Sequence, residues 1–221
     1  MNRTPIPKPV GRRFAIPDIH GCLKTFQTVL YDRLQVTRDD QIFLLGDYVH
    51  RGPDSAGVLD ELVHLIEHGY QIFPIRGNHD DDYIEEMGAS LPSAHLALYE
   101  SMPYFRLTEE FIFVHANLNY DAQDPFSDTA TMKWGTRFEE EPDLEFLEGR
   151  RVIHGHVIHP IGEIFDAIHD GATILPLDNG CYKGLKSSNE AYGTLLALNL
   201  DTMELMVQPC VDEKVVANSE S

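Results

Sequence analysis

The sequence has few cysteines and no long apolar run. Its three cysteines, Cys22, Cys181 and Cys210, are far apart in the 221 residues and match no zinc-binding spacing. An odd, scattered set of this kind is typical of reduced thiols in a cytosolic protein. No window approaches the roughly 20 apolar residues of a membrane span, and residues 1–13 contain no stretch resembling a signal peptide. The sequence therefore predicts a cytoplasmic protein without a membrane partner.

Basic residues are scarce as well. Lys and Arg number 17 against 36 Asp and Glu, which gives a formal net charge of −19 at pH 7. Proteins that bind DNA, RNA or anionic membrane surfaces do so through Lys and Arg. We therefore expect no nucleic acid partner. A chain of this length suits one domain with a substantial core.

One apolar run is followed directly by charged residues. Residues 42–45 are all apolar, which is typical of a strand buried on both faces of a parallel sheet. Asp47 and Arg51 follow this run directly. In open α/β sheets, ligands bind at the carboxyl ends of the strands. The two charged residues therefore predict a functional site at this edge of the sheet.

Strands and helices alternate through the first third of the chain. We predict strands at 14–16, 41–45 and 71–75, with helices over about 22–32 and 53–69, which indicates βαβ units. The rest is predicted as a helical stretch at 81–101 broken near 91–92, strands at 104–107, 111–115, 151–153, 172–177, 194–200 and 203–208, and a polar lid or helical insert at 118–148. The organisation expected is one domain over 1–221, with an ordered core at 13–210 and a frayed tail at 211–221.

Polar side chains follow five of these strands where each one ends. A single histidine at such a place is typical of a hydrogen-bonded structural residue, but the same donors at five strand ends favour a metal site. Carboxylate, carboxamide and imidazole groups without thiolate suit Mn²⁺, Fe or Zn²⁺. The residues concerned are Asp18, His20, Asp47, Asn78, His79, His115, His154 and His156.

Three segments resemble the signature blocks of the PPP-type metallophosphatases, a group within the calcineurin-like phosphoesterase superfamily. They are Asp18-Ile19-His20-Gly21, Gly46-Asp47-Tyr48-Val49-His50-Arg51-Gly52 and Gly77-Asn78-His79-Asp80. Two later segments, 114–116 and 155–156, resemble its histidine blocks, so the similarity covers roughly 14–182. The resemblance implies a single-domain α/β fold with a central β-sandwich of mixed sheets flanked by helices. It also implies an enzyme similar to bacterial serine/threonine/tyrosine protein phosphatases.

The same resemblance implies two divalent metal ions, with Mn²⁺ expected first and Fe or Zn²⁺ as alternatives. Asp47 would bridge the two ions. Asp18 and His20 would complete the first ion's ligands, and Asn78, His115 and His156 would complete the second ion's ligands. His154 is one position away from the expected block and would lie outside the ligand set.

Four further residues receive catalytic roles from the resemblance. Arg51 matches the family's phosphate-binding arginine, and Arg137 loosely resembles a second one. His79 matches the histidine that donates a proton to the leaving oxygen. His50 stands where the family usually has an aspartate that pairs with that histidine. We therefore expect a lower pKa for His79 than in the family, unless a carboxylate such as Asp80 or Asp81 takes over the pairing.

These features leave three functions open. The first is a protein phosphatase acting on phosphoserine, phosphothreonine or phosphotyrosine, or on small phosphoesters, by direct attack of a hydroxide held between the ions. The second is a dinucleoside polyphosphate hydrolase of the diadenosine tetraphosphate type. A polyphosphate would favour extra Lys and Arg, whereas the acidic run at 80–86 favours phosphopeptides with basic flanks if it faces the site. The third is a phosphoprotein-binding module whose catalysis His50 weakens.

Overall fold

The computed structural model describes residues 3–136, 142–186 and 189–213. Within these ranges nine strands form two sheets. Strands β1 to β9 are Arg13–Ile16, Gln41–Leu44, Gln71–Pro74, Phe105–Leu107, Phe111–Val114, Arg151–His154, Ile174–Pro176, Thr194–Asn199 and Leu205–Pro209.

Both sheets are mixed. The first has the order β3-β2-β1-β8-β9, in which β1, β2 and β3 are parallel and β8 and β9 are antiparallel to their neighbours. The second has the order β4-β5-β6-β7, in which only β4 is antiparallel. The apolar faces of the two sheets share one core, where the rings of Phe43 and Phe113 stack with their centroids 4.2 Å apart. The predicted α/β fold with a central sandwich of mixed sheets is confirmed.

Helices flank this sandwich. Helices α1 to α7 are Leu23–Gln27, Ser55–Glu67, Asn78–Met87, Ser93–Ser101, Thr129–Trp134, Leu144–Leu147 and Ile161–His169. α1 continues into a π-helix at Thr28–Arg33. Among the described residues, none of the helices is long and apolar enough to cross a membrane.

Two helices differ from the sequence expectation. α3 begins at Asn78 rather than at residue 81, so the polar residues after β3 lie in its first turn. The side chain of Asp80 accepts the N–H of Gly77, which satisfies a free donor at this helix start. α7 was not predicted, although Ile161 and Ile164 have helical spacing and pack against the sandwich core. Because α7 is only nine residues long, its helical spacing of apolar residues is difficult to recognise in the sequence among the neighbouring strands.

The predicted lid or helical insert at 118–148 and the predicted frayed tail at 211–221 are in part well packed. Residues 118–136 contain α5 and a short 3₁₀ helix at Pro125–Ser127, and α6 follows after the gap at 137–141. In the predicted tail, the Asp212 carboxylate accepts the N–H groups of Lys24 and Thr25 at 3.0 Å each. Residues 214–221 lie outside the described residues.

Candidate metal and phosphate site

The carboxyl ends of five strands meet at one edge of the sandwich. Asp18, Asp47 and Asn78 follow β1, β2 and β3 of the first sheet, and His115 and His156 follow β5 and β6 of the second. Hydrogen bonds donated by backbone N–H groups join these loops within and between the sheets. The carbonyl oxygen of Asp47 accepts two N–H groups of the loop after β1, and Asp18 accepts the N–H of His156 at 3.1 and 3.2 Å. The fold thus brings the predicted ligands together.

Two groups of metal-binding atoms share Asp47. One group contains His20 and His79, and the other contains His115 and His156; within each group the possible ligand atoms lie within 4.8 Å of one another. Oδ1 of Asp47 is 3.4 Å from Nε2 of His115, and Oδ2 is 3.7 Å from Nε2 of His20. The two oxygens of one carboxylate therefore face different groups, which is the arrangement that a bridging ligand requires.

The two remaining predicted ligands lie beside these groups. Oδ2 of Asp18 is 3.9 Å from Nε2 of His20. Oδ1 of Asn78 is 3.0 Å from Nε2 of His115. His154 lies outside both groups, since its Nδ1 is 3.0 Å from the carbonyl oxygen of Gly155.

Backbone carbonyl groups orient two of the imidazoles. Nδ1 of His20 is 2.9 Å from the carbonyl oxygen of Val49, and Nδ1 of His115 is 2.8 Å from that of Leu45. Each carbonyl accepts the Nδ1–H, so that Nε2 of each ring faces the site. A hydrogen bond at the other ring nitrogen is what commonly orients a metal-binding histidine.

The charge balance of the site fits bound cations. Asp18, Asp47 and Asp178 are buried, and among the described residues none of them forms an ion pair with Lys or Arg. Burial and the neighbouring Asp178 raise the pKa of Asp18 well above its usual value. Burial would lower the pKa of His115, but Asp47 and Asp18 raise it to about 10. Divalent ions would supply the positive charge that three buried acids lack.

The imidazoles of His20 and His156 are neutral at pH 7, as metal ligands must be. Burial lowers the pKa of His20 to about 4 and that of His156 to about 4. With carboxylate, carboxamide and neutral imidazole donors at one place, the residues fit two divalent ions of the Mn²⁺, Fe or Zn²⁺ class.

Backbone strain is concentrated at this edge. Non-glycine residues with positive φ cost of order 1–3 kcal/mol each and cluster at functional sites. Five residues of the predicted site adopt this conformation: His20 at +49°, Asp47 at +54°, His50 at +66°, Arg51 at +67° and His156 at +65°.

Two glycines allow the close approach of the loops. A Cβ atom at Gly77 would lie 2.1 Å from Oδ1 of Asp47, and one at Gly155 would lie 2.1 Å from Oδ1 of Asp18. Because the nearest atoms belong to buried carboxylates of the site, any other residue at either position would displace a predicted metal ligand.

His79 lies at the rim of the site, among three groups that control its protonation. The backbone N–H of His79 donates to Oδ1 of Asp47 at 2.9 Å, and the ring Nε2 of His79 is 3.4 Å from Nη2 of Arg51. Its Nδ1 is 2.9 Å from Nδ1 of His50, whose Nε2 is 3.2 Å from Oε2 of Glu86. Burial lowers the pKa of His79, Asp47 opposes this effect, and the neighbouring Arg51 and His50 lower the pKa further.

The suggestion that Asp80 or Asp81 pairs with His79 is wrong. The buried Asp80 carboxylate accepts the N–H groups of Asp47 and Gly77 at 2.9 Å each, and that of Tyr48 at 3.0 Å. Burial and the neighbouring Asp47 raise its pKa to about 7. Its role is therefore to shape the loop that holds Asp47.

Asp81 also has partners other than His79. It forms ion pairs with Arg76, at 3.3 Å, and with Lys133. The carboxylate that supports His79 is Glu86, which acts through His50.

Sequence reasoning missed three residues around the site: Asp178, Tyr182 and Glu86. Asp178 follows β7, so the rule that selects the other strand ends would also have selected it. The ring of Tyr182 packs edge-on against His20 with the centroids 5.0 Å apart, and the Arg51 guanidinium lies 5.9 Å above it. No sequence signal distinguishes Tyr182 or Glu86 from ordinary surface residues.

A pocket adjoins the second donor group. It has a volume of about 430 Å³ and includes Asn117, Asn119, Asp121 and Trp134 in its lining. Trp134 is 53% exposed, and its ring packs edge-on against His156 at a centroid distance of 6.1 Å. Arg137, the predicted second phosphate-binding arginine, lies outside the described residues.

A family model matches most of the chain. The model described as calcineurin-like phosphoesterase covers residues 12–182, which include every predicted metal ligand.

Curated relatives match a shorter part. The symmetrical bis(5'-nucleosyl)-tetraphosphatase of Acidovorax sp. strain JS42 is 39% identical over 67 residues, which are 30% of this chain and 23% of that protein. The enzyme of the same name from Nitrosomonas europaea is 30% identical over 122 residues, 48% of this chain and 44% of that one. The chain thus matches less than half the length of these relatives.

Solved structures share the fold over nearly the whole chain. A candidate diadenosine tetraphosphatase aligns with a TM-score of 0.66 and 21% identity, covering 94% of this chain and 97% of the other. A protein serine/threonine phosphatase from Saccharomyces cerevisiae aligns with a TM-score of 0.68 and 16% identity, covering 96% and 85%.

Proposed function

We propose that this chain, which belongs to the calcineurin-like phosphoesterase family, uses its metal centre to hydrolyse dinucleoside tetraphosphates. Family membership makes it a metallophosphoesterase, and the choice of substrate rests on the surroundings of His79. The observation that carries the proposal is the 2.9 Å contact between His50 and His79.

The site residues have three roles, which are ion binding, substrate binding and proton transfer. Asp18, His20 and Asp47 would hold one divalent ion, and Asp47 would share the second with Asn78, His115 and His156. Ions held by these residues would supply Lewis acidity towards phosphoryl oxygens and towards the attacking water. The Arg51 guanidinium is exposed at the rim and can bind two oxygens of one phosphate group through parallel hydrogen bonds. His79 faces the same space and can donate a proton to a leaving oxygen.

The lowered pKa of His79 favours leaving groups that need no proton. Because burial, Arg51 and His50 all lower its pKa, fewer His79 side chains carry a proton at pH 7. Serine and threonine leave as strongly basic alkoxides, which depend on that proton. Cleavage of the central P–O bond of a tetraphosphate instead releases a nucleoside diphosphate, a much weaker base. The site is therefore better suited to a phosphoanhydride than to an alkyl phosphate.

The pocket beside His156 suits a nucleoside. The exposed indole of Trp134 offers a face on which a base can stack. The curated relatives matched here carry the name of symmetrical tetraphosphatases. Both observations support a dinucleotide as substrate.

The acidic residues within 80–86 of α3 disfavour a polyanionic substrate less strongly than the sequence alone indicates. Asp80 is buried against backbone N–H groups, and Asp81 is neutralised by Arg76 and Lys133. Glu86 pairs with His50. Only two of its five acids have no such partner among the described residues.

Those two acids support a second candidate, hydrolysis of phosphorylated proteins. Glu85 is exposed, and Asp82 is close enough to His79 to favour its protonated form. A phosphopeptide with basic flanking residues would complement them. Because the leaving-group argument still applies, phosphotyrosine would be preferred over phosphoserine.

A comparison of substrates tests the proposal. Protein loaded with Mn²⁺ is assayed in ¹⁸O-labelled water against diadenosine tetraphosphate, phosphotyrosine and phosphoserine peptides, and p-nitrophenyl phosphate. We expect two ADP molecules, one of them labelled, and a kcat/KM about 10²-fold above that for phosphoserine. Formation of ATP and AMP would contradict cleavage of the central bond, and faster turnover of phosphopeptides would contradict the substrate assignment. The absence of turnover with any of these substrates would contradict catalysis itself.

A further inference from the structure

The three cysteines, which are scattered in the sequence, meet in the folded chain. Cys22 precedes α1, Cys181 begins a 3₁₀ helix at Cys181–Leu185, and Cys210 follows β9. Their Sγ atoms all lie within 4.8 Å of one another. The three thiols are free, and their spacing in the sequence did not predict this cluster, because distance along the chain does not report the packing of these three segments.

The packing around Cys210 brings the segments together. A Cβ atom at Gly184 would lie 2.6 Å from Cβ of Cys210, so this glycine lets the 3₁₀ helix approach β9. The N–H of Cys210 donates to the carbonyl oxygen of Gly193 at 3.1 Å. The hydroxyl of Thr25 lies 3.7 Å from Sγ of Cys210 and donates to Asp212 at 2.6 Å. Backbone and side-chain contacts thus fix the position of the third sulfur.

We propose that Cys22, Cys181 and Cys210 bind one thiophilic divalent ion, of which Zn²⁺ is the representative, at a site separate from the catalytic pair. Thiolate ligands select such ions, whereas the carboxylate, amide and imidazole ligands of the catalytic site do not discriminate so strongly. Three protein ligands leave the fourth tetrahedral position to water.

The spacing of the sulfurs favours an ion over a disulfide. Zn–S bonds of about 2.3 Å place tetrahedral sulfurs about 3.8 Å apart. A disulfide needs a separation of about 2.05 Å and would leave the third thiol unused. Sulfurs within 4.8 Å of one another need smaller movements to bind an ion than to form a bond. Cys22 and Cys181 are buried, while Cys210 is partly exposed and provides the route of entry.

This site lies directly behind the catalytic loop. Sγ of Cys22 is 3.7 Å from the carbonyl oxygen of His20. Tyr182, next to Cys181, packs against the ring of His20. A bound ion would therefore hold the loop and the 3₁₀ helix together without touching the substrate.

The test uses reduced protein whose catalytic site is first loaded with Mn²⁺. Cd²⁺ is then added as a probe, and thiolate-to-metal charge-transfer absorption is measured. We expect saturation at one equivalent, and slower reaction of the thiols with Ellman's reagent once Zn²⁺ is bound. Cys210→Ser should weaken Cd²⁺ binding by at least about 100-fold, the upper end of the loss seen when groups supporting a ligand are removed.

Two control variants test whether the absorption comes from the three cysteines. Val211→Ser changes the neighbouring residue and should keep the absorption. Asp47→Asn disturbs the catalytic ions and should keep it too. Wild-type protein that shows no Cd²⁺–thiolate absorption, thiols that Zn²⁺ leaves unprotected, or a disulfide in the purified protein would each overturn the proposal. These readouts do not depend on turnover, so they also remain decisive if the proposed substrate is wrong.

Discussion

Nδ1 of His50 lies 2.9 Å from Nδ1 of His79. One of the two nitrogens donates to the other, so the rings share one proton along this contact. On its far side, His50 is 3.2 Å from the exposed carboxylate of Glu86. The proton donor of the site is thus supported by a second imidazole, and only indirectly by a carboxylate.

Replacement of His50 tests this relationship. His50→Asp places a negative charge beside His79, which should raise the His79 pKa. Because the protonated form is the proton donor, the basic limb of the kcat/KM profile should move to higher pH. Activity on alkyl phosphates should rise relative to aryl phosphates. Glu86→Gln serves as the control with an intact imidazole pair, and its basic limb should move slightly the other way. An unchanged profile for His50→Asp would mean that His50 does not control His79.

Arg51 is expected to bind phosphate and not metal. Arg51→Ala should lower kcat by about 10²–10³, as loss of comparable oxyanion donors does. Inhibition by inorganic phosphate should weaken, while metal content stays the same. Arg51→Lys keeps the charge but loses the paired hydrogen bonds, so it should restore only part of the activity. If Arg51→Ala is fully active, Arg137 becomes the better candidate.

Trp134 is expected to bind a nucleoside. Loss of base stacking costs about 1–3 kcal/mol, so Trp134→Ala should raise KM for diadenosine tetraphosphate roughly tenfold or more. Trp134→Phe should retain most of the affinity. The KM for p-nitrophenyl phosphate, which has no base, provides the internal reference. Equal effects on both substrates would show that Trp134 supports the site and does not bind the base.

Asp40 is expected to make stability depend on acid pH. Its side chain is buried and accepts the Arg12 guanidinium at 2.7 Å and the N–H of Thr37 at 2.9 Å. Burial would raise the pKa of Asp40, but Arg12 and the N–H groups lower it to about 2. A lowered folded pKa contributes stability above the unfolded value of about 3.9. That contribution is lost as the pH falls towards 2.

Asp40→Asn should therefore lower the free energy of unfolding by about 1.5–3 kcal/mol at pH 7. The difference from wild type should shrink as the pH falls from 4 to 2, as followed by urea denaturation. Asp39→Asn removes the same charge from an exposed neighbour and should change stability by less than about 0.5 kcal/mol. Equal effects of the two substitutions would contradict the role of the buried contact.

The residues that sequence could identify share one property: they follow strands. Asp18, Asp47 and His115 each come after an apolar run, and a parallel sheet brings such ends to one edge. The residues that it missed depend on packing between distant segments. Glu86 reaches His50 only because α3 begins at Asn78, three residues earlier than expected.

The cysteine cluster also depends on packing between segments that are distant in the sequence. Thiol-to-thiol proximity between Cys22 and Cys210 depends on β9 ending beside the start of α1, and on Gly184 leaving room. Neither local propensity nor motif spacing contains that information. The mixed order of the first sheet, in which β8 pairs with β1, likewise depends on long-range pairing that periodicity does not encode.

The metal content and turnover of Asp47→Asn test the central claim most directly. Among the described residues, Asp47 is the only residue shared by the two donor groups that contain histidine. A neutral amide is a poor bridge between cations, so the variant should retain fewer than two ions per chain and lose turnover. Metal analysis of the purified protein, with wild type loaded and washed in the same way, gives the comparison. Two tightly bound ions together with wild-type activity would contradict the dinuclear site.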